Sequence, residues 1–232
     1  MAVMTRDRAR ARAERDRILR SRRRFWRPDE LATAGSTTKH LLADLVSAGD
    51  LRRIRRGLYW RGDASPLGMS PPSVTDLVAE LAPGPGVGPA GLYAANLLRL
   101  STQVPRAAEI AVPGRAPTSP HGIRFAARQA RSARVETGLT AIEVALLESL
   151  ESWERVVELP AIEATALLVE MIRSGAVRPD ALARASVTEP GAVRARLRRL
   201  LHAAGRDDLV DAVPAPDPRT ELARTRALAV AS

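Results

Sequence analysis

The sequence predicts a mainly α protein with small β elements, an α+β fold in which a small basic part precedes a larger, mostly helical part. Residues 1–61 carry 17 Arg or Lys against 7 Asp or Glu, whereas the remaining residues carry 19 of each sign. One segment therefore holds the whole formal net charge of +10. Several segments place apolar residues at helical spacing, and short β-prone runs lie between glycine and proline turns. A segment as polarised as 1–61 suits a polyanionic partner.

Residues 5–24 begin the chain with good helix formers, but only Ala11, Ile18 and Leu19 indicate an apolar face, and that face is narrow. A helix of this kind needs a folded partner or a polyanion to hold it. Residues 5–24 could form a basic helix that is exposed to solvent. Alternatively, they could form the first helix of a compact module, an arm that lies along a nucleic acid, or a helix that serves as both.

A short helix over residues 28–34 and a second helix from Ser36 to about Ala48 are predicted next. Pro28 suits the first position of a helix because it has no N–H to satisfy, and two acids follow it at the positive end of the helix dipole. Ser36 can cap the second helix, and Gly49 supplies a left-handed stop.

The second helix has two chemically different faces. The face predicted to pack inward consists of Thr38, Leu41, Leu42, Leu45 and Val46. The opposite face carries small and polar side chains, namely Thr37, Lys39, His40, Ala43, Asp44 and Ser47. Such side chains can contact base edges and phosphates in a major groove, so this is the predicted recognition helix.

Two short strands containing Leu51, Ile54, Leu58 and Tyr59 follow, with a turn at residues 55–57. Arginines this dense on a small hairpin repel one another unless an anion neutralises them, which a phosphate backbone or minor groove would do. Helix, glycine stop and basic hairpin in this order predict a winged helix-turn-helix. The residues predicted to contact DNA are Ser36, Thr37, Thr38, Lys39, His40, Arg52, Arg53, Arg55 and Arg56.

Turn-rich residues 62–72 predict a domain boundary, with a basic DNA-binding domain over 1–66 and an α+β domain over 67–232. Capping boxes at Ser73 and Thr140 begin two helices. Further helices are predicted at 90–100, 161–174, 180–186, 190–204 and 219–229, and strands at 109–113 and 123–127. The arginines at 194, 196, 198 and 199 are interpreted as the solvated side of their helix, and three aspartates at 207, 208 and 211 as part of a helix start.

Several classes of function are not expected. The chain has no cysteine, which excludes disulfides and thiolate chemistry. Glycine-rich residues 84–91 lack the lysine of a phosphate loop, and no catalytic or metal-binding motif is present. We therefore expect no cofactor, no bound metal and no enzyme activity; an enzyme acting on nucleic acid is kept as the least favoured class. No apolar run is long enough for a signal peptide or a membrane helix, so the cytoplasm is the expected compartment.

Two longer phrases resemble a known family. FWRPDELA (25–32), a polar helix and SAGDLRRIRRGLYW (47–60) resemble the N-terminal winged helix of AbiEi-type antitoxins, the transcriptional autoregulators of type IV toxin–antitoxin operons. GLYAANLLRLSTQVPRAAEIAVPGR (91–115) is similar to the start of the antitoxin domain in that family. The Arg-rich opening over 5–24 goes beyond the pattern expected of the family.

The resemblance implies two activities. The N-terminal domain would bind inverted repeats of double-stranded DNA in its own promoter and repress transcription from it. Residues 36–40 would contact bases or phosphates, and the hairpin arginines would contact the phosphate backbone. Self-association on the DNA is a further expectation. The C-terminal domain would counteract a nucleotidyltransferase-like toxin encoded beside it, either with or without a stable complex. The alternative is a winged-helix regulator whose C-terminal domain senses a ligand or dimerises and has no toxin partner.

Overall fold

The computed structural model describes residues 2–33, 35–66 and 68–220. It divides into two compact units, Met1–Glu80 and Leu81–Ser232. The domain boundary predicted between residues 66 and 67 stays a prediction. The helix predicted over 219–229 falls almost wholly outside the described residues. Within the described part of the chain, no helix combines the length and apolar character needed to cross a membrane.

The first unit has the element order of a winged helix-turn-helix. Its elements are α1 (Ala2–Arg20), β1 (Phe25–Trp26), a 3₁₀ turn (Pro28–Glu30), α2 (Gly35–Ser47), β2 (Arg52–Arg55) and β3 (Leu58–Trp60). The three strands form one antiparallel sheet in the order β1-β3-β2. A two-residue hairpin, β4 (Ala64–Ser65) and β5 (Gly68–Met69), and helix α3 (Val74–Leu81) follow. The predicted fold class is confirmed.

A single apolar cluster holds the helices of this unit against the sheet. Its buried members come from α1, β1, α2 and the segments beside them: Ile18, Trp26, Leu31, Leu41, Leu42, Leu45 and Leu51, with Leu19 and Tyr59 packed against them. Arg61 also ties the end of β3 to the C-terminus of α1, because its guanidinium donates to the carbonyls of Leu19 at 2.6 Å and Ser21 at 2.8 Å. These carbonyls lie at the helix end, where no intrahelical donor remains.

Three local predictions in this unit need correction. The helix predicted over 28–34 is one 3₁₀ turn, because Leu31 adopts an extended backbone (φ −91°, ψ 143°) and turns into the core. Helix α2 begins at Gly35, one residue before the predicted cap Ser36. Val46, predicted to pack inward, is 36% exposed, because it lies one residue and thus about 100° around the helix from buried Leu45.

The second unit is a helical layer on a small mixed sheet. Its elements are β6 (Gly88–Pro89), α4 (Gly91–Leu97), β7 (Ala108–Val112), β8 (Ile123–Ala127), α5 (Ala133–Glu136), α6 (Ala141–Glu151), α7 (Trp153–Val156), α8 (Ala161–Arg173), α9 (Pro179–Ala185), α10 (Gly191–Ala203) and α11 (Asp207–Val210). Strand β7 pairs antiparallel with β6 and parallel with β8.

Both capping boxes predicted from the sequence form. The Asp76 amide donates to Ser73 Oγ at 3.0 Å, and the Thr140 amide donates to Glu143 Oε2 at 2.8 Å.

The arginines of the second unit are not simply a solvated surface. Arg196, interpreted from the sequence as part of the solvated side of its helix, is fully buried and donates to the Leu150 carbonyl and to Glu154. That interpretation is wrong for Arg196, because charged side chains follow helical spacing in the same way whether they face water or a buried acceptor. Asp207 and Asp208 do lie in the first turn of α11, as predicted, whereas Asp211 is the C-cap residue of that helix, so the prediction is wrong for Asp211.

Candidate nucleic-acid interface

Helix α2 presents one exposed stripe to solvent. Ser36, His40, Ala43 and Ser47, spaced four, three and four residues apart, are all exposed and lie on one side of the helix. Lys39 is exposed beside this stripe, and Thr37 is half-buried on its other side. The stripe thus consists of short side chains that leave the helix backbone accessible.

Thr38 stands apart from the other predicted site residues on α2. It is only 4% exposed, and its hydroxyl shares a hydrogen bond of 2.9 Å with the hydroxyl of Thr33. This bond joins the start of α2 to the segment that follows the 3₁₀ turn. In this conformation Thr38 positions the helix, and its hydroxyl does not face solvent.

The hairpin between β2 and β3 forms the wing. Arg55 pairs with Leu58, so Arg56 and Gly57 make the turn, and Gly57 takes the left-handed backbone angle (φ 75°) that glycine adopts without strain. The strand register shifts between Arg53 and Arg55, which marks a bulge in β2. Arg52, Arg53 and Arg56 are exposed, whereas Arg55 is half-buried.

Lys39 of α2 and the wing arginines Arg53 and Arg56 line one open cleft, and the acidic residue Asp29 lies in the same lining. Three of the five cations predicted to act together from helix and wing therefore share this cleft, and Arg52 and Arg55 are absent from it. His40 and Ser36 are absent from this cleft and lie on the exposed stripe beside it.

The structure separates two groups of basic residues in the first unit. One group is engaged with carboxylates: Arg15 with Asp50 at 2.7 Å, Arg17 with Glu14 at 2.6 Å, Arg24 with Asp63 at 3.0 Å, Arg23 with Glu30 and Arg27 with Glu80. The other group makes no ion pair or hydrogen bond with any described residue, and it comprises Lys39 and the wing arginines Arg52, Arg53, Arg55 and Arg56, together with six arginines on or just after α1, namely Arg6, Arg8, Arg10, Arg12, Arg20 and Arg22. The basic residues without an internal partner thus include all five predicted DNA-binding cations of α2 and the wing.

Strand β1 is a part of this unit that the sequence did not predict. Trp26 is buried, and the guanidinium groups of Arg17 and Arg23 lie over its ring at 5.1 and 5.4 Å from the centroid. Phe25 packs against Trp60 across the sheet, with ring centroids 4.8 Å apart. Two adjacent aromatic residues before a proline were the available signal, but two residues are too few to show strand alternation.

The comparisons with known proteins support this reading of the first unit. Residues 16–60 match a family model described as "Transcriptional regulator, AbiEi antitoxin". The crystal structure of the RV2827C protein from Mycobacterium tuberculosis is similar in fold, with a TM-score of 0.50 and 14% sequence identity over 96% of this chain and 83% of that chain. No curated protein matches the chain significantly. The resemblance seen in the sequence is thereby confirmed for the winged helix, and residues 16–60 carry the signature of the AbiEi antitoxin transcriptional regulators.

Proposed function

We propose that this chain represses its own operon by binding inverted repeats of double-stranded DNA through its winged helix. The observation that carries the proposal is that five basic side chains on α2 and the wing have no partner among the described residues, and three of them line one cleft. Exposed cations held close together repel each other, and phosphate groups remove that cost while releasing the counterions of the DNA.

Within this proposal the α2 residues divide by role. Ser36, Thr37, Lys39 and His40 contact bases or phosphates from the start of α2, and Arg52, Arg53, Arg55 and Arg56 hold the backbone from the wing. Buried Thr38 acts indirectly by fixing the helix against Thr33. Phosphate contacts position the protein, and only contacts to base edges select a sequence.

The test replaces Arg53, Arg55 and Arg56 by Ala in the full chain. We expect binding to a duplex of the chain's own promoter and to a scrambled duplex to weaken in parallel, each by roughly 10- to 100-fold, because these arginines would contact phosphates. Lys39→Ala should instead change the preference between the two duplexes. Anisotropy titrations measure both effects, and wild-type binding by the triple variant would show the wing assignment to be wrong.

We further propose that the chain is an antitoxin for a nucleotidyltransferase-like toxin encoded beside it, that it acts in the cytoplasm, and that its own role is not enzymatic. The family match over residues 16–60 supports an antitoxin and regulator in general terms. Co-expression of the full chain with the adjacent gene tests the specific partner. Growth rescue by both the wild type and the wing triple variant is expected; if neither restores growth, the regulator without a toxin partner becomes the better reading.

A further inference from the structure

Helix α1 has two halves with different surroundings. Glu14 and Ile18 are the buried residues of its second half, and Arg15 is anchored to Asp50. Between residues 6 and 13 no side chain is buried. Core packing therefore accounts for the second half of α1 only. The first half continues a helix that the packed second half already nucleates, and its side chains are not needed for the core.

The first half of α1 carries cations toward the exposed stripe of α2. Arg8 and Arg12, one turn apart, line a groove with Thr37 and His40 of α2. We call this pair the arm row. It makes no ion pair or hydrogen bond with the described residues. Arg15 lines the same groove but is engaged with Asp50, so it is not counted.

The exposed stripe of α2 consequently lies between two rows of cations. On one side is the arm row, which shares its groove with Thr37 and His40. On the other side are Arg53 and Arg56 of the wing, which share their cleft with Lys39. Residues 37 and 40 of α2 lie roughly 100° and 40° around the helix axis from residue 36, whereas residue 39 lies roughly 60° from it in the other direction. The two cation rows therefore flank different edges of the same stripe.

Cations on both sides of an exposed helix face suit a DNA major groove, because that groove is bordered by two phosphate backbones. We infer that Arg8 and Arg12 contact phosphates on the backbone opposite the one held by the wing, so that residues 6–13 act as an arm while residues 14–20 act as the first helix. The inference rests on the proposed DNA-binding function and adds a second phosphate contact to it.

Two carboxylates reduce the net positive charge around the arm row. Asp7 and Asp44 line the same groove as Arg8 and Arg12. Asp44 belongs to the recognition helix, where a carboxylate can accept a hydrogen bond from a cytosine amino group. Asp7 offsets part of the attraction of the arm row for phosphate. We therefore expect the two arginines together to contribute roughly one to two phosphate equivalents to the salt dependence of binding.

The chain offers a matched control on the same helix. Arg6 and Arg10 are exposed, differ by the same spacing, and lie about half a turn away from Arg8 and Arg12, outside the groove. R8A/R12A and R6A/R10A remove the same charge and introduce the same good helix former. The full chain carries each double variant, and the dissociation constant for the promoter duplex is measured between 50 and 300 mM salt.

For R8A/R12A we expect the slope of log K against log salt to become shallower by roughly one to two, with binding roughly 10-fold weaker at 150 mM. For R6A/R10A we expect less than half of that change. Phosphate-ethylation interference should show contacts on both backbones beside one major groove in the wild type, with one set lost in R8A/R12A. Circular dichroism confirms that each variant is folded.

Three results would overturn the inference that Arg8 and Arg12 contact DNA phosphates. They are an unchanged slope in R8A/R12A, an equal loss in both double variants, and a change of oligomeric state without a change of slope, which would assign the arm row to a second copy of the chain. The wing triple variant decides the proposed function separately. If it loses binding while R8A/R12A does not, only the arm fails; if it binds like the wild type, the proposed function itself fails.

Discussion

Arginine performs two opposite roles in this chain, and the difference lies in the acceptors around each side chain. Arg134 is fully buried and binds Glu189 through two parallel hydrogen bonds of 2.6 and 2.9 Å, while a third bond of 2.7 Å reaches Glu148. A planar guanidinium satisfies two carboxylates at once in this geometry. Removing one partner would leave buried charges uncompensated, so this network fixes α5 against α6 in a way that the free arginines of the wing do not.

Glu143 makes a second prediction at the residue scale possible. Burial alone would raise the pKa of Glu143, but hydrogen bonds from Arg178 and from Thr140 lower it to about 2. Because the folded pKa lies below the ordinary value of 4.5, the folded chain binds fewer protons than the unfolded chain between these pH values. The stabilisation is thus fully present above about pH 5 and is lost as the pH falls toward 2.

Glu143→Gln should keep the cap on α6, because Gln also accepts the Thr140 amide, while it removes the charge that Arg178 contacts. Urea denaturation should show a variant that is less stable by roughly 1–3 kcal/mol at pH 7 and by only about a quarter of that at pH 2.5, just above the folded pKa. Exposed Glu163→Gln serves as control and should change stability little at either pH. A deficit that persists unchanged at pH 2.5 would contradict the ionic explanation.

At the scale of single elements, the wing depends on the backbone of Gly57. A Cβ at this position would meet no atom within 4 Å, so the cost of Gly57→Ala comes from the left-handed φ of 75° alone. We expect a loss of about 1 kcal/mol in the free energy of unfolding of the first unit. Gly114→Ala is the matched control, because Gly114 is equally open but has no such φ. Equal effects at both positions would rule out backbone strain as the cause.

The elements that the sequence predicted well are those with a chemical start signal and enough length. The helices that begin at the Ser73 and Thr140 capping boxes, and helix α2, each combine a cap or stop with repeated apolar spacing. All three helices are present. Strand β1 and helix α5 were missed, because two or four residues show no period. The helix expected over 28–34 failed because tertiary burial of Leu31 outweighed local propensity.

The candidate site was predictable in residue type but not in its full arrangement. Charge density identified the wing, and helical spacing identified α2, so Lys39, Arg53 and Arg56 could be named before their shared cleft was seen. Helical spacing placed Thr38 on the inward face, where it is buried, so its inclusion among the DNA contacts went against that pattern. The spacing could not decide for Arg8 and Arg12, whose direction depends on how α1 packs on α2. The way in which one helix packs on another is set by the core, and it cannot be predicted from the sequence of either helix alone.

For the whole molecule, the excess of positive charge belongs mainly to one unit. Residues 1–80 carry 17 basic and 10 acidic side chains, a formal charge of +7, whereas residues 81–232 carry 19 and 16, a charge of +3 over almost twice the length. In the first unit many of the acids are engaged with arginines outside the proposed interface. Among the described residues of this unit, the basic side chains left without a partner therefore lie on α2, the wing and the first half of α1, and at Arg20 and Arg22.

This distribution makes the salt dependence of DNA binding the most direct test on the full chain. If the four wing arginines each neutralise a phosphate, the affinity should fall by at least ~10² between 50 and 200 mM salt. The fall should be similar for the promoter duplex and a scrambled one, because phosphates carry no sequence information. R106A/R115A removes two exposed arginines from the second unit and should leave the slope unchanged. A flat salt response, or an equal change of slope in this control, would show that the free cations of the first unit are not what holds the DNA.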